Sequence, residues 1–464
     1  MLAAAPPAAT ARRADRPNLV VIVVDTLRAD HVYGDRARTP NMDALARDGV
    51  RFVDTHPEAM PTIPARNSLL QGRRQFPFRR WRDYPGLIDE PGWEPLDRLS
   101  TSLTTTLRRA GYWTAYATDN PFIGFSSPYE RFRASFDAFA RRGGQVRGRA
   151  SGVSERELRH WLHPSIENGK SRDRLKRYLS NGGYHHDETR SFAARVFGDG
   201  VALLEQGAAR RPFALVLDTF QAHEPWTPPR RYLDLYGDPG YRGREPSYPY
   251  YAQARRYLRG YDRQRLVARM RALYAAEVTL TDRWLGVFLD RLRELRLDRE
   301  TAIVLVGDHG YLLGDHGYTG KLGTQLHPAL TRVPLTIVHP EGRRGGRVSR
   351  FPASTHDIAP TSLSLVGVRA PRSMTGADLS PVFRGRRPPR RPYAYGGYAN
   401  NFYVRSGRWT LIGDNRGRRL RLYDTRADPG ERRDMAGAHP AKARELYAAV
   451  LRRAGGRLPS YPER

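Results

Sequence analysis

The chain has 464 residues, enough for one large domain and a small one, with 39% hydrophobic residues and a formal charge of +30 from 78 Lys and Arg against 48 Asp and Glu. The absence of cysteine excludes disulfides and thiol chemistry. The excess charge is mostly arginine spread along the whole chain, with no recognition-helix pattern, zinc finger or other nucleic-acid motif, so a solvated basic surface is expected and not a nucleic-acid partner.

Taken in order, the first residues (MLAAAPPAATARRADRP) are broken by proline and lack the apolar run of a secretory signal. No segment reaches membrane-spanning length. Residues 1–16 are therefore expected to be a disordered tail on a soluble, cytoplasmic protein with no membrane span. Residues 18–25 (NLVVIVVD) form an unbroken apolar run that ends in a carboxylate. A parallel strand covered on both faces reads this way. Pro40–Asp48 is amphipathic, with Met42, Leu45 and Ala46 on one face, and Pro40 suits a first helical turn. A short strand over 50–53 follows. The proline-punctuated stretch EAMPTIPARNSLLQGRR then leads into a short helix from about Ala65, whose first turn is a place for an anion.

A helix is expected over 101–110, then a strand at YWTAYAT and a turn at DNP. Residues 127–262 read as peripheral helices and loops, a candidate lid, interrupted by the buried strand PFALVLDTF, which ends at QAHEPWTPP. A long helix is expected from about Gln264 to Leu295, with Ala276, Leu280, Trp284, Phe288 and Leu292 on one stripe. The apolar run TAIVLVGDH covers 301–309. VPLTIVHP is a further strand, and STHDIAPTSLSLVG opens a helix behind a Ser/Thr cap. The character changes near Arg384. Beyond it the sequence alternates like an antiparallel meander and closes with a helix over about 440–454.

In open α/β sheets the site lies beyond the carboxyl ends of the strands. Asp25, Asp308 and His309 converge if their two strands are neighbours, and two carboxylates with an imidazole suit a divalent cation. Thr62, just before a helix start, is the candidate nucleophile, since direct metal contact can deprotonate a hydroxyl. Arg66, one turn on, is placed to grip the oxygens of a tetrahedral oxyanion in bidentate fashion.

These stretches come in a recognisable order. VVDTLRADHVYG, TPNMDALARDGVRF, PTIPARNSLLQGR, VGDHGYLLGDHG, GKLGTQLHPALTRVPLTIVHP and LRLYDTRADPGERRDMAG together resemble the sulfatase family within the alkaline phosphatase superfamily. The resemblance implies an α/β fold: a large mixed, mostly parallel sheet sandwiched by helices (17–385), with a small C-terminal α+β domain (386–464). It implies Asp25, Thr62, Asp308 and His309 as metal ligands and Arg66 and Lys321 as oxyanion binders. It also implies that His223 binds a substrate oxygen or protonates the leaving group.

The departures from the pattern carry information. The family usually has Cys or Ser, converted to formylglycine, where this chain has Thr62; a second Asp where it has Thr26; and a Lys and a His where it has Asp119 to Phe122 (DNPF). The site resembles instead the Thr-nucleophile branch of the superfamily, to which lipoteichoic acid synthases, phosphoglycerol transferases and nucleotide phosphodiesterases belong. Asp218, His223 and His356 fit a second metal site poorly by spacing, so one divalent ion (Mn, Mg, Ca or Zn) is expected. Asp315 and His316 read as loop support, Asp119 and Asn120 as site or turn residues, and His327, His339 and His356 as structural. The expected partner is a small anionic ester, either a phosphate mono- or diester or a sulfate ester, hydrolysed or transferred through Thr62. Sulfuric ester hydrolysis without formylglycine and a binding protein without turnover are the alternatives. The oligomeric state stays open.

Overall fold

The computed structural model describes residues 16–462 other than 86, 97–98, 124–128, 147, 183–185 and 343, so the expected tail lies, but for its last residue, outside the described residues. Eight strands make the central sheet: β1 Asn18–Val24, β2 Val50–Phe52, and, after a two-residue strand β3 Ala59–Met60 that belongs elsewhere, β4 Trp113–Thr118, β5 Ala138–Arg141, β6 Phe213–Thr219, β7 Thr301–Gly307, β8 Leu335–Val338 and β9 Arg347–Ser349. Their order is β9-β2-β8-β7-β1-β6-β4-β5. Only β8 runs antiparallel to its neighbours β7 and β2. The sheet is mixed and mostly parallel, as expected.

The unbroken apolar runs have a simple cause. In β1, Val20, Ile22 and Val24 enter the hydrophobic core on one face, and Leu19, Val21 and Val23 enter the core on the other. The same division holds in β7, with Ile303 and Leu305 on one side and Ala302, Val304 and Val306 on the other. β1 pairs with β7 in register up to Val24 opposite Gly307, which brings the residues that follow each strand to one end of the sheet.

Among the helices, α1 Pro40–Asp48 buries Met42, Leu45 and Ala46 as its pattern predicts. The helix expected from about Ala65 starts earlier: α2 spans Thr62–Gln71, so Thr62 is its first residue and not a residue ahead of it. Pro64 lies within that first turn, where the missing N–H breaks no intrahelical bond. Helices α3 Leu103–Arg109, α4 Gly169–Asn181, α5 Phe192–Ala208, α6 Arg263–Glu294 and α7 Ile358–Leu365 cover the sheet and its rim. The stripe on α6 is buried except at Trp284, which is half-buried.

Residues 127–262 are less peripheral than their composition suggests. β5 (AFAR) pairs with β4 as an edge strand, half-buried along its length, and so lacks an apolar run. α5 packs on the sheet closely enough that a Cβ at Gly200 would lie 2.8 Å from a methyl of Leu217.

The C-terminal sheet contains β10 Ala394–Tyr398, β11 Asn401–Ser406, β12 Trp409–Asp414 and β13 Arg421–Asp424, packed against α8 Pro440–Arg453. Its fifth strand comes from the large domain. β3 pairs parallel to β10, Ala59 opposite Gly397 and Met60 opposite Tyr398. The approach is close: a Cβ at Gly396 would lie 2.5 Å from the carbonyl oxygens of Pro57 and Glu58. The C-terminal sheet thus holds the segment that ends two residues before Thr62.

Candidate functional site

Asp25 follows β1, and its backbone N–H still donates to Thr219 of β6 at 3.0 Å. The chain then turns sharply at Thr26, whose φ of 57° is unfavourable for a β-branched residue. The turn is held from two sides. The Thr26 N–H donates to Asp308 Oδ1 at 2.9 Å, and the Tyr274 hydroxyl donates to the Thr26 carbonyl at 2.6 Å. Asp308 and His309 follow β7. Asp308 Oδ1 also accepts the His309 N–H at 2.7 Å. His309 Nδ1 donates to the Gly310 carbonyl at 2.9 Å, which leaves the Nε2 lone pair free. That Nε2 lies 3.5 Å from Asp308 Oδ2 and 4.0 Å from Asp25 Oδ1.

Ligand atoms of Asp25, Asp308 and His309 all lie within 4.8 Å of one another, and the three residues are buried. In hydrogen-bond geometry no described residue serves Asp25 Oδ1 or Oδ2, Thr62 Oγ1 or His309 Nε2. An unmet buried polar group costs about 1–3 kcal/mol, so Asp25 Oδ1 and His309 Nε2, 4.0 Å apart and both unserved, call for a common partner. Oxygen donors with one imidazole fit a divalent cation. The charges agree. Burial, then the neighbouring Asp308 charge, push the Asp25 carboxyl well up. Burial also pushes Asp308 up, but the charges of His309 and Arg66 outweigh it and hold this carboxyl down. Burial lowers His309 to about 4, so its imidazole is neutral and fit to ligate.

Arg66 lies one turn along α2 from Thr62 and is 1% exposed. Its Nη1 touches the Thr62 carbonyl at 3.1 Å, Asp308 Oδ2 at 2.5 Å and Asp25 Oδ2 at 3.1 Å. Its Nε and Nη2 go to Asp218 at the end of β6, Nη2 to Oδ1 at 2.7 Å. The Tyr116 hydroxyl completes Asp218 at 2.6 Å. A bidentate grip on substrate is therefore not what this side chain offers, because that edge of the guanidinium is taken by Asp218. Arg66 is the counter-ion around which Thr62, Asp25 and Asp308 meet.

Lys321 follows the strand Tyr318–Gly320 and sets its Nζ 2.8 Å from His223 Nε2. His223 Nδ1 donates to the Glu224 carbonyl at 2.7 Å, so Nε2 carries the lone pair toward the ammonium. Its ring stacks on Phe220, centroids 4.1 Å apart. Burial, then Lys321, hold this imidazole well below its ordinary value. Thr62, His223 and Lys321 line one cavity of about 350 Å³.

Other sequence candidates fall elsewhere. Asp119 accepts the Phe220 N–H at 2.6 Å and Gln145 Nε2 at 2.7 Å, and Asn120 Oδ1 accepts the Phe122 N–H at 3.0 Å, a buried turn that steadies the end of β6. Asp315 pairs with Arg28, His316 stacks on His327, His327 meets Glu431, and His356 meets Ser354. Sequence reasoning missed Asp218 as the partner of Arg66. A lone carboxylate closing a buried apolar strand was the available signal.

The mostly parallel sheet, with a buried ligand group beyond its strand ends, has an alkaline phosphatase-like architecture. The sulfatase family model matches residues 17–368, and the chain belongs to that family. It is similar to an arylsulfatase from Clostridium perfringens, 24% identical over 97% of this chain and 96% of that protein. It is also similar to a choline-sulfatase from Rhizobium meliloti, 27% identical over 91% of this chain and 82% of that protein. Among solved structures, a phosphonate monoester hydrolase from Silicibacter pomeroyi shares the fold with a TM-score of 0.72, 21% identity and coverage of 94% and 95% of the two chains. Among the described residues no helix is long and apolar enough to cross a membrane.

Proposed function

We propose that this chain cleaves small phosphate, phosphonate or sulfate esters with Thr62 as the nucleophile. The observation that carries this reading is the buried Thr62 hydroxyl, without a hydrogen-bond partner among the described residues, on a residue tied through Arg66 to Asp25 and Asp308, whose ligand atoms face that of His309. Asp25, Asp308, His309 and Thr62 would hold one divalent cation, which when bound supplies positive charge at the oxyanion and lowers the proton affinity of the threonine hydroxyl. Thr62 Oγ1 gives its proton to solvent and attacks the phosphorus or sulfur centre, and the bond to the leaving oxygen breaks. That oxygen takes its proton from the Lys321–His223 pair, whose ammonium and imidazole share a hydrogen bond at 2.8 Å. Lys321 also faces the charge that develops on the ester oxygens. Arg66 acts from behind, offsetting the carboxylates so that an anionic substrate can approach. Water or an acceptor hydroxyl then releases the group from Thr62.

A phosphorus ester is favoured over a sulfate ester, because a simple threonine sulfate lacks the release route that formylglycine provides. Relatives named as an arylsulfatase and a choline-sulfatase support sulfate esters as the second reading. Turnover of aryl phosphate, phosphodiester, phosphonate and sulfate esters by metal-stripped protein resupplied with Mn, Mg, Ca or Zn decides between them. Turnover confined to phosphorus esters is the expected result. Turnover of sulfate alone makes the second reading correct, and silence on every ester overturns both.

A further inference from the structure

The cavity above Thr62 has walls of a particular kind. Trp93, Phe122 and Phe220 form one side, with ring centroids 4.9 Å apart between Trp93 and Phe122 and 6.0 Å apart between Phe122 and Phe220. Tyr248, Tyr250 and Tyr251 form another. The two acids of the lining are already engaged. Glu90 accepts Trp93 Nε1 at 3.0 Å, and Glu224 accepts the Tyr251 hydroxyl at 2.5 Å. Glu90 and one oxygen of Glu224 thus steady the aromatic walls, and the other Glu224 oxygen lies 3.2 Å from His223 Nδ1.

The remaining charge in the lining beyond Lys321 is cationic and comes from one helix. Lys170 and Arg174 stand four residues apart on α4, hence on one face, and both line the cavity. The start of α4 is fixed by a reciprocal cap between Asn168 and Ser171. Arg174 is steered by its own contact, Nη1 donating to the Tyr248 hydroxyl at 2.5 Å. Among the described residues neither Lys170 nor Arg174 lies within ion-pair distance of a carboxylate. Both side chains are exposed, while the Thr62 and Lys321 end of the cavity is buried.

We propose that this cavity takes the leaving group of a small ester built on a flat ring and carrying a second anionic group, which Lys170 and Arg174 bind. The ring lies against the aromatic walls, and the reacting ester reaches Thr62 at the buried end. This rests on the ester-cleaving reading of the site. A volume of about 350 Å³ is near the lower end for ligand pockets, so the substrate is a small molecule or the terminal unit of a chain. A cationic ring substituent is disfavoured by Lys170 and Arg174, and an uncharged one leaves both without an anionic partner.

Calorimetry with unreactive ligands tests the subsite apart from catalysis. Benzene-1,4-disulfonate, benzenesulfonate and 4-(trimethylammonio)benzenesulfonate are compared on the metal-loaded protein and on the K170A/R174A double variant, whose sites are exposed and whose melting temperature is checked. The expected result is binding of the disulfonate about tenfold tighter than of the monosulfonate, a preference falling below about threefold in the double variant. Equal affinities, preference for the ammonium compound, or a preference that survives in the double variant overturns the proposal. Turnover of paired mono- and dianionic esters, one pair aryl and one pair hexose, should favour the dianionic aryl ester, and turnover of the hexose pair alone overturns the flat-ring assignment. A disulfonate preference in a protein that turns over no ester leaves the subsite standing and removes the proposed function.

Discussion

Lys321 Nζ and His223 Nε2 lie 2.8 Å apart inside the protein, an ammonium directed at an imidazole lone pair. The pair joins two distant parts of the chain, the loop after β6 and the segment after Tyr318–Gly320. It puts one exchangeable proton set beside Thr62 in the same cavity.

This pairing makes a pH prediction. Burial, followed by the Lys321 charge, keeps His223 neutral in the folded protein well below its ordinary value. The unfolded chain takes up that proton near the usual histidine value of about 6.5. The unfolded state therefore binds more protons below that pH, and stability falls as the pH drops. Lys321→Met removes the repulsion, so His223 charges more readily in the folded state. Denaturant titrations at pH 7 and pH 5 should give a smaller loss for the variant than for wild type. An equal or larger loss would show that burial alone is enough to keep His223 neutral down to pH 5.

Arg66 and Asp218 form a buried ion pair, and Tyr116 adds a hydroxyl donor to the same carboxylate. Asp218→Asn leaves a buried guanidinium short of one counter-charge, which costs about 3–5 kcal/mol. Tyr116→Phe removes a single donor to a charged group and costs about 1.5–3 kcal/mol. Urea unfolding should rank the two in that order. The reverse order would mean that Asp218 is not the main anchor of Arg66.

Much of this architecture was legible in the sequence. β1 and β7 were readable because both faces of each are buried, so no polar residue interrupts them until the ligand positions. Asp25, Asp308 and His309 followed from the rule that sites lie at strand ends. Three features were not legible. β5 is half-buried at an edge and has no apolar run. The start of α2 at Thr62 was obscured by Pro61 and Pro64, residues that read as punctuation. The role of Arg66 depended on Asp218, a partner 152 positions away that no local pattern connects to it.

Asp25 offers a test of the cation group that does not need turnover. Burial and the Asp308 charge raise its carboxyl, so ionising it in the metal-free protein opposes folding as the pH rises. Asp25→Asn removes that cost. At pH 8 the metal-free variant should be at least as stable as metal-free wild type. Wild type should gain about 2.7 kcal/mol from a cation at 100 times its dissociation constant, and the variant should gain almost nothing. A variant that gains as much as wild type on metal addition would remove Asp25 from the ligand set.

The C-terminal sheet should influence the site through β3. Gly396→Ala places a methyl group 2.5 Å from the carbonyls of Pro57 and Glu58, which are backbone atoms and cannot rotate away. Overpacking of this kind costs about 1–3 kcal/mol, and relief requires moving the segment that carries Thr62. The variant should fold, melt at a lower temperature and lose ester turnover out of proportion to that loss. Turnover retained at the wild-type level would mean that β3 and β10 do not position Thr62.

The central claim is that the Thr62 hydroxyl attacks the ester. It is tested most directly by comparing Thr62→Ala and Thr62→Ser with wild type at saturating metal, on the best substrate of the ester panel, with folding checked by melting temperature. Thr62→Ala should lower kcat by about a thousandfold or more, the range seen when a nucleophile is removed, while Thr62→Ser keeps measurable turnover through its hydroxyl. A folded, metal-loaded Thr62→Ala protein with kcat within tenfold of wild type would contradict the account.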